Sequence, residues 1–379
     1  MIPGLEKKTK KKNLLKHNKT KKQGLLLSHR TPPKIVKISE KIDKEISKNS
    51  SYSPSINKYL VSLKSIQRNL VLNCNNERAF LLKAPLKIGV PDKSGKKTCY
   101  LYNDPVAKKY MLKNLKANKH VDPNRVVPPI QELANCWFNT MFVSLFISDK
   151  GRKFFHFLRQ MMIEGKQKGG NPIPEVLRDG FALFNYAIDA CLTGNKYAYV
   201  LNTNAIIQQI YDSVPEKYRA YIRDVDEAGN PVRYYLSLIN YLGNRNLRVL
   251  FVQDCGPSWH FQVQDKLESD LPDVIILEFF NDDAPTPNKE TSFTMNGAKY
   301  VLDSCIIRDT EKNHFSSLLT CEKKEMAYDG MSFHRLTYMD WKDKINTEFK
   351  WQFKGSKDEG QLLTWNFSKG YYMLIYYRV

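Results

Sequence analysis

The chain has 379 residues, 42% of them apolar and 26% charged, enough to fill a sizeable core. No run approaches the ~18 apolar residues of a membrane-spanning helix. Met1-Ile2-Pro3-Gly4-Leu5-Glu6 passes into lysines without the apolar core of a signal peptide, so neither a membrane span nor secretion is expected.

The net charge of +20 sits at one end. Residues 1–127 hold 30 Lys and Arg against 8 Asp and Glu, a net +22, while residues 128–379 hold 29 against 31, a net −2. The larger part is therefore not a basic nucleic-acid-binding body. The cysteines, Cys74, Cys99, Cys136, Cys191, Cys255, Cys305 and Cys321, are odd in number and show no C-x-x-C pair. That argues against a disulfide framework and a compact zinc ribbon, and for a reducing compartment, cytosol or nucleus.

Residues 1–50 read as a disordered basic arm, opened by Lys7-Lys8-Thr9-Lys10-Lys11-Lys12 and poor in large apolar side chains. Its lysine-rich stretch 7–22 is a candidate nucleic-acid contact or import signal, or a solvated tail. Residues 51–127 read as a small basic domain or an extension packed on the larger part. Tyr59, Leu60, Leu63, Ile66 and Leu70 recur at helical spacing, Thr98-Cys99-Tyr100-Leu101-Tyr102 reads as a strand, and Asp104-Pro105 opens a helix from Val106 to Asn118.

Val127-Pro128-Pro129-Ile130 is stiff and extended. Helical texture runs from Phe138 to Met162, broken near Ser148-Asp149-Lys150-Gly151, and again over 175–221. Past Leu247 the texture turns to strands: 248–252, 273–280, 300–302, 315–320 and 371–377. Helices first and sheet afterwards is an α+β order, a helical N-terminal lobe followed by a C-terminal antiparallel sheet.

The chemistry concentrates in Gln131-Glu132-Leu133-Ala134-Asn135-Cys136-Trp137-Phe138-Asn139-Thr140-Met141-Phe142. Cys136 stands where an extended segment meets an apolar helix, and a helix N-terminus favours a thiolate. Gln131 can offer a side-chain amide which, with the Cys136 backbone N–H, would form an oxyanion hole. A buried core cysteine is the plainer alternative. Among seven histidines, His17 and His29 lie in the arm, His120 precedes the linker, and His156 falls in a helix. His260, in Trp259-His260-Phe261, and His334 compete with His314 as base. Cys305 and Cys321 read as core, and Asp282-Asp283 as a turn or a contact for a basic tail.

The segment resembles the Cys box of ubiquitin-specific proteases, with Gln131 five residues before the nucleophile and Asn135-Cys136-Trp137-Phe138-Asn139 similar to the rest. The Cys-Trp pair with its upstream Gln also resembles papain and calpain sites. Leu271-Pro272-Asp273-Val274-Ile275-Ile276-Leu277-Glu278-Phe279-Phe280 is similar to a strand of the family. Tyr300-Val301-Leu302 and Asn313-His314-Phe315 resemble its His box, Tyr328-Asp329-Gly330 its third catalytic position, and Tyr371 to Arg378 its closing strand. The resemblance spans residues 128–379. It implies a papain-like peptidase core with Cys136 as nucleophile, His314 as general base, Asp329 orienting the imidazole and Gln131 as oxyanion donor. It implies ubiquitin or ubiquitin-like conjugates as partners and calls for no cofactor and no catalytic metal.

The chain departs from the family at Asn313, which replaces a Gly, at Arg308-Asp309-Thr310, which replaces a His-x-Gly, and in lacking the zinc-binding Cys pairs of the fingers. The alternatives are an endopeptidase of the same fold that processes a precursor and a non-enzymatic ubiquitin-binding pseudo-peptidase. The Lys-, Asn- and Ile-rich texture also resembles that of cysteine peptidases of large DNA viruses, for which a virion or host-cell location would be expected.

Overall fold

In the computed structural model the described residues are 74–379 apart from 118–120, 168–169, 195–197, 199–202, 243–247, 268–270, 282–287, 310, 312 and 369. The basic arm, the helical spacing from Tyr59 to Leu70, His17, His29, His120 and Asp282-Asp283 lie outside them.

A small unit comes first: α1 (Glu77–Phe80), the hairpin β1 (Lys87–Pro91) and β2 (Lys97–Leu101), and α2 (Pro105–Ala117). Asp104 starts α2 by accepting the Val106 N–H at 2.7 Å, with Pro105 at the first turn, where its missing N–H is harmless. The core of this unit (Ala79, Leu86, Ile88, Tyr102, Ala107, Met111, Leu115) continues into Ile163 and Ala182 of the helical lobe.

One expectation fails here. Cys74 and Cys99 form a disulfide with Cα atoms 5.4 Å apart. The two lie 25 residues apart and meet only because the hairpin folds back over the start of α1, which motif spacing cannot reveal.

The helical lobe is next, with α3 (Cys136–Phe146), α4 (Asp149–Phe154), α5 (His156–Glu164), α6 (Arg178–Thr193), α7 (Asn204–Ser213) and α8 (Pro231–Tyr241). The break expected near residues 148–151 is a cap: the Ser148 hydroxyl accepts the Gly151 N–H, and the buried Asp303 carboxylate accepts the N–H groups of Lys150 and Gly151 at 2.9 and 3.3 Å. Gly151 is obligatory there, since a Cβ would lie 2.5 Å from Ser148 Oγ and 2.7 Å from two backbone oxygens.

α3 is the axle of the molecule. Every residue from Trp137 to Phe146 is buried, so tertiary burial holds this helix together despite its β-branched Thr140 and Val143. Each large side chain buried on it contributes roughly 1.5–3 kcal/mol.

The sheet completes the fold: β3 (Val249–Val252), helix α9 (Trp259–Asp265), β4 (Val274–Asn281), β5 (Ser292–Met295), β6 (Ala298–Arg308), β7 (Phe315–Cys321), β8 (Lys324–Tyr328) and β9 (Leu336–Tyr338). After β9 come the short pairs β10 (Lys350–Trp351) with β13 (Trp365–Asn366) and β11 (Lys357–Asp358) with β12 (Gln361–Leu362), and then the closing strand β14 (Gly370–Arg378). The strand order is β3-β4-β14-β6-β7-β8-β9, with β5 on β6. All pairs are antiparallel, as expected, except β3–β4 at one end of the sheet, which is parallel.

One face takes the helical lobe through Ile276, Ile306, Leu319, Met326 and Met373. The other is covered by Trp259 of α9 and by Trp341, Trp351, Phe353 and Trp365 from the region before β14. The chain is thus a mixed α+β fold, helices first and a largely antiparallel sheet after. Among the described residues no helix is long and apolar enough to cross a membrane.

Candidate active site

α3 packs on the face of the sheet against β7, where the Ser144 and Ser317 hydroxyls bond at 2.7 Å in the buried seam. Small side chains at that crossing let helix and strand approach closely. The N-terminus of α3 and the start of β7 therefore face the same cleft.

Cys136 is the first residue of α3, and no acidic side chain occupies that helix's first turn. Of the free cysteines it alone is not buried. Burial pushes the thiols of Cys191, Cys255, Cys305 and Cys321 up to about 12, so these four are inert core residues.

The extended approach to Cys136 is docked on the sheet. Arg335 Nη1 donates to Pro128 O at 2.8 Å, Tyr328 Oη donates to Pro129 O at 2.8 Å, and the Gln131 N–H donates to Gly330 O at 3.0 Å. The chain then turns at Leu133, whose φ of +61° is left-handed and unusual for a branched residue. Gln131 Nε2 reaches only Leu133 O, at 3.5 Å.

His314 precedes β7 directly, and Asp329 comes directly after β8. Because β7 and β8 form a hairpin with Ser317 opposite Tyr328, both residues emerge at the same sheet end. His314 Nε2 lies 2.7 Å from Asp329 Oδ1, with Asp329 wholly buried. Asp329 Oδ1 also accepts the Met331 N–H at 3.2 Å, and Oδ2 accepts the Ser356 hydroxyl.

Burial alone would lower the His314 pKa. The Asp329 carboxylate, by charge and hydrogen bond, and then the hydrogen-bonded Cys136 side chain overcome that and raise it to about 10. With Nε2 held by the carboxylate, Nδ1 is the nitrogen left for the thiol.

The four residues singled out by sequence, Cys136, His314, Asp329 and Gln131, therefore surround one cleft. The competing histidines stand elsewhere. His260 lies on α9, stacked on Trp259 with ring centroids 3.5 Å apart, its Nε2 3.2 Å from Glu290 Oε1. His334 is buried in the loop after Asp329, where the Ser332 hydroxyl donates to its carbonyl, and His156 starts α5.

The family departure at Asn313 is accommodated. Its φ of +55° is a conformation that glycine takes freely and asparagine tolerates better than most residues.

Three supporting residues are given no role by the sequence motifs. Asp309, noticeable there only as a departure, accepts the His314 N–H at 2.6 Å and the Glu311 N–H at 3.0 Å and so ties down the turn that presents the imidazole. Ser356 reaches Asp329 from 27 residues downstream. Gly330 leaves room for the Gln131 strand, since a Cβ there would lie 2.9 Å from both Gln131 N and Gln131 Cβ.

Among the described residues no group of three or more His, Cys, Asp and Glu side chains could hold a metal ion.

No family model matches the chain, and no curated protein matches it. Several solved structures are similar. An essential yeast splicing factor shares 11% identity over 84% of this chain and 80% of its own, at a TM-score of 0.42. The SAGA DUB module Ubp8/Sgf11/Sus1/Sgf73 bound to monoubiquitin shares 8% over 76% and 78%, at 0.43. The same module bound to ubiquitin aldehyde shares 8% over 76% and 78%, at 0.41. Likenesses this distant carry no functional argument, and the reading of the site rests on its own geometry.

Proposed function

We propose that the chain is a thiol peptidase that hydrolyses the bond after the C-terminal Gly of ubiquitin or a ubiquitin-like modifier. The observation that carries the catalytic half is the constellation of Cys136 at a helix N-terminus, His314 near enough for the Cys136 side chain to favour its charged form, and the buried Asp329 2.7 Å behind the imidazole. The substrate half rests on the order and spacing of the Cys, His and closing-strand motifs. We also propose that the lysine-rich stretch 7–22 contacts nucleic acid, a reading carried by its charge alone.

In this reading the Cys136 proton passes to His314 Nδ1, and Sγ attacks the Gly carbonyl. The developing oxyanion takes hydrogen bonds from the Cys136 backbone N–H and from Gln131 Nε2, whose long contact to Leu133 O is readily given up. Collapse breaks the C–N bond, and the imidazolium returns its proton to the leaving lysine amine. Water then attacks the thioester, giving a proton to Nδ1. The C–S bond breaks, and the thiol is restored. Asp329 holds the ring and stabilises its cation throughout, without itself taking the proton.

The test is covalent capture by C-terminal electrophile probes of ubiquitin and of small ubiquitin-like modifiers. Wild type should be labelled by at least one probe, with labelling lost in Cys136→Ala and strongly reduced in His314→Ala. A site that no modifier probe labels while small thiol reagents titrate Cys136 would point to an endopeptidase instead. Inertness to both would leave the binding-module reading.

A further inference from the structure

A second set of side chains, none used in the steps above, meets beneath the loop that carries Gln131. Asn135 is the N-cap of α3 and Thr203 the N-cap of α7. Both are good capping residues, yet neither side chain caps its own helix. They turn toward each other instead: Asn135 Nδ2 donates to Thr203 Oγ1 at 3.1 Å and to Asn204 Oδ1 at 2.7 Å. Thr203 Oγ1 donates to Asn139 Oδ1 at 2.7 Å. Asn139 Nδ2 donates to Asn135 Oδ1 at 3.1 Å. Asn135, Asn139 and Thr203 are all buried.

Three outer bonds of this network fall on the backbone around Gln131, at Ile130 and Glu132. Asn139 Nδ2 holds Ile130 O at 3.1 Å, Asn204 Nδ2 holds Glu132 O at 3.2 Å, and Asn135 Oδ1 accepts the Glu132 N–H at 3.2 Å. On the opposite side the Gln131 N–H is held by Gly330 O. The backbone that bears the oxyanion donor is thus clamped from the helical lobe by amides and from the sheet by Gly330.

We infer that Thr203 and Asn204, at the start of α7, are positioning residues for the oxyanion hole. Thr203 acts through Asn135 and Asn139, and Asn204 acts both through Asn135 and directly on Glu132 O, to fix the backbone around Gln131. The inference rests on the peptidase reading and extends it to a helix that contributes nothing to the catalytic trio. Buried amide networks are worth most when every member is satisfied, and opening one member releases the rest. An oxyanion donor in turn works only when its place is fixed before charge develops.

The test separates reactions that need the oxyanion hole from one that does not. Alkylation of Cys136 by iodoacetamide is a displacement at carbon with no tetrahedral oxyanion. Ubiquitin aldehyde and the substrate-independent acetyl-glycyl-glycinal add to the thiol to form a hemithioacetal whose oxygen occupies the hole. Thr203→Val is isosteric and deletes the hydroxyl, Asn204→Ala deletes the bond to Glu132 O, and Thr203→Ser restores the hydroxyl.

Thr203→Val and Asn204→Ala should weaken binding of whichever aldehyde the wild type takes by about tenfold to a hundredfold, within the range an oxyanion donor contributes. The alkylation rate should stay near wild type, the thermal midpoint should fall modestly because buried amide groups are left short of partners, and Thr203→Ser should recover aldehyde binding. Parallel losses in alkylation and aldehyde binding, or no loss in either, would overturn the inference, as would a wild type that is alkylated readily yet binds neither aldehyde. A wild type whose Cys136 is neither alkylated nor captured would instead overturn the peptidase reading on which the inference stands.

Discussion

The two walls of the cleft are built on opposite principles. The helical wall presents Cys136 mainly by apolar packing: ten consecutive buried residues of α3, seven of them apolar, fix the helix, and the proposed nucleophile is its first residue. The sheet wall presents His314 and Asp329 by buried polar bonds from Asp309, Ser356, Met331 and the Gly330 turn. Apolar packing sets where a rigid element lies, to within the tolerance of a close-packed core. Hydrogen bonds set how a single side chain is turned, and each one lost leaves a buried polar group unsatisfied. The difference predicts that damage to the helical wall will show first as lost stability, and damage to the sheet wall first as lost activity.

The largest separation should come from His314→Ala. It should lower kcat/KM by about 10²–10⁴-fold, the range of general acid–base catalysis, and also lower the thermal midpoint, because the buried Asp329 carboxylate loses its partner, while His260→Ala leaves kcat/KM unchanged. Steady-state kinetics on the captured modifier's conjugate checks both, and an equal loss in His260→Ala would undo the assignment of the base.

On the helical wall, Phe138→Ala should destabilise the fold by about 3–5 kcal/mol in denaturant unfolding. It should leave the pH dependence of the surviving activity in place. A mild stability effect with a changed pH profile would mean that the walls are not distinct in the way proposed.

Gly330→Ala sits where the walls touch. Its Cβ would meet Gln131 N and Gln131 Cβ at 2.9 Å, so it should remove part of the roughly 10²–10³-fold contribution of an oxyanion donor while sparing the alkylation rate of Cys136. Normal turnover in this variant would show that the Gln131 backbone need not lie where it does.

The smallest effect expected is a shift along the pH axis. The His314 pKa is raised from 6.5 to about 10, chiefly against burial and by Asp329. The stability contributed by its charged form is therefore complete below about 6.5 and lost as pH rises through about 10. In Asp329→Asn the alkaline fall of both kcat/KM and stability should begin at lower pH. An unchanged alkaline limb would argue that Asp329 does not hold the imidazolium.

The same contrast explains what the sequence could disclose. The candidate nucleophile, Cys136, stood out because everything that marks it is local: an extended Pro-Pro segment, a Cys and an apolar helical run. The strands β4, β6, β7 and β14 were legible from their apolar runs, although the parallel pairing of β3 with β4 was not, since strand texture says nothing about direction. His314 and Asp329 were reached through motif order. Their supports were invisible: Ser356 lies 27 residues beyond Asp329, and Thr203 lies 64 residues beyond Asn139. Neither has any pattern in its own neighbourhood. The Cys74–Cys99 bond was missed for the same reason, since it depends on a hairpin folding back rather than on spacing.

The central claim is that His314 takes the proton of Cys136. It is tested most directly by the rate at which iodoacetamide alkylates Cys136 near neutral pH, read by mass spectrometry of the Cys136 peptide in wild type and in His314→Ala. The account predicts rapid alkylation at Cys136 in wild type, with the four buried cysteines untouched, and a marked slowing at Cys136 when His314 is removed. Equal rates in the two proteins would contradict it.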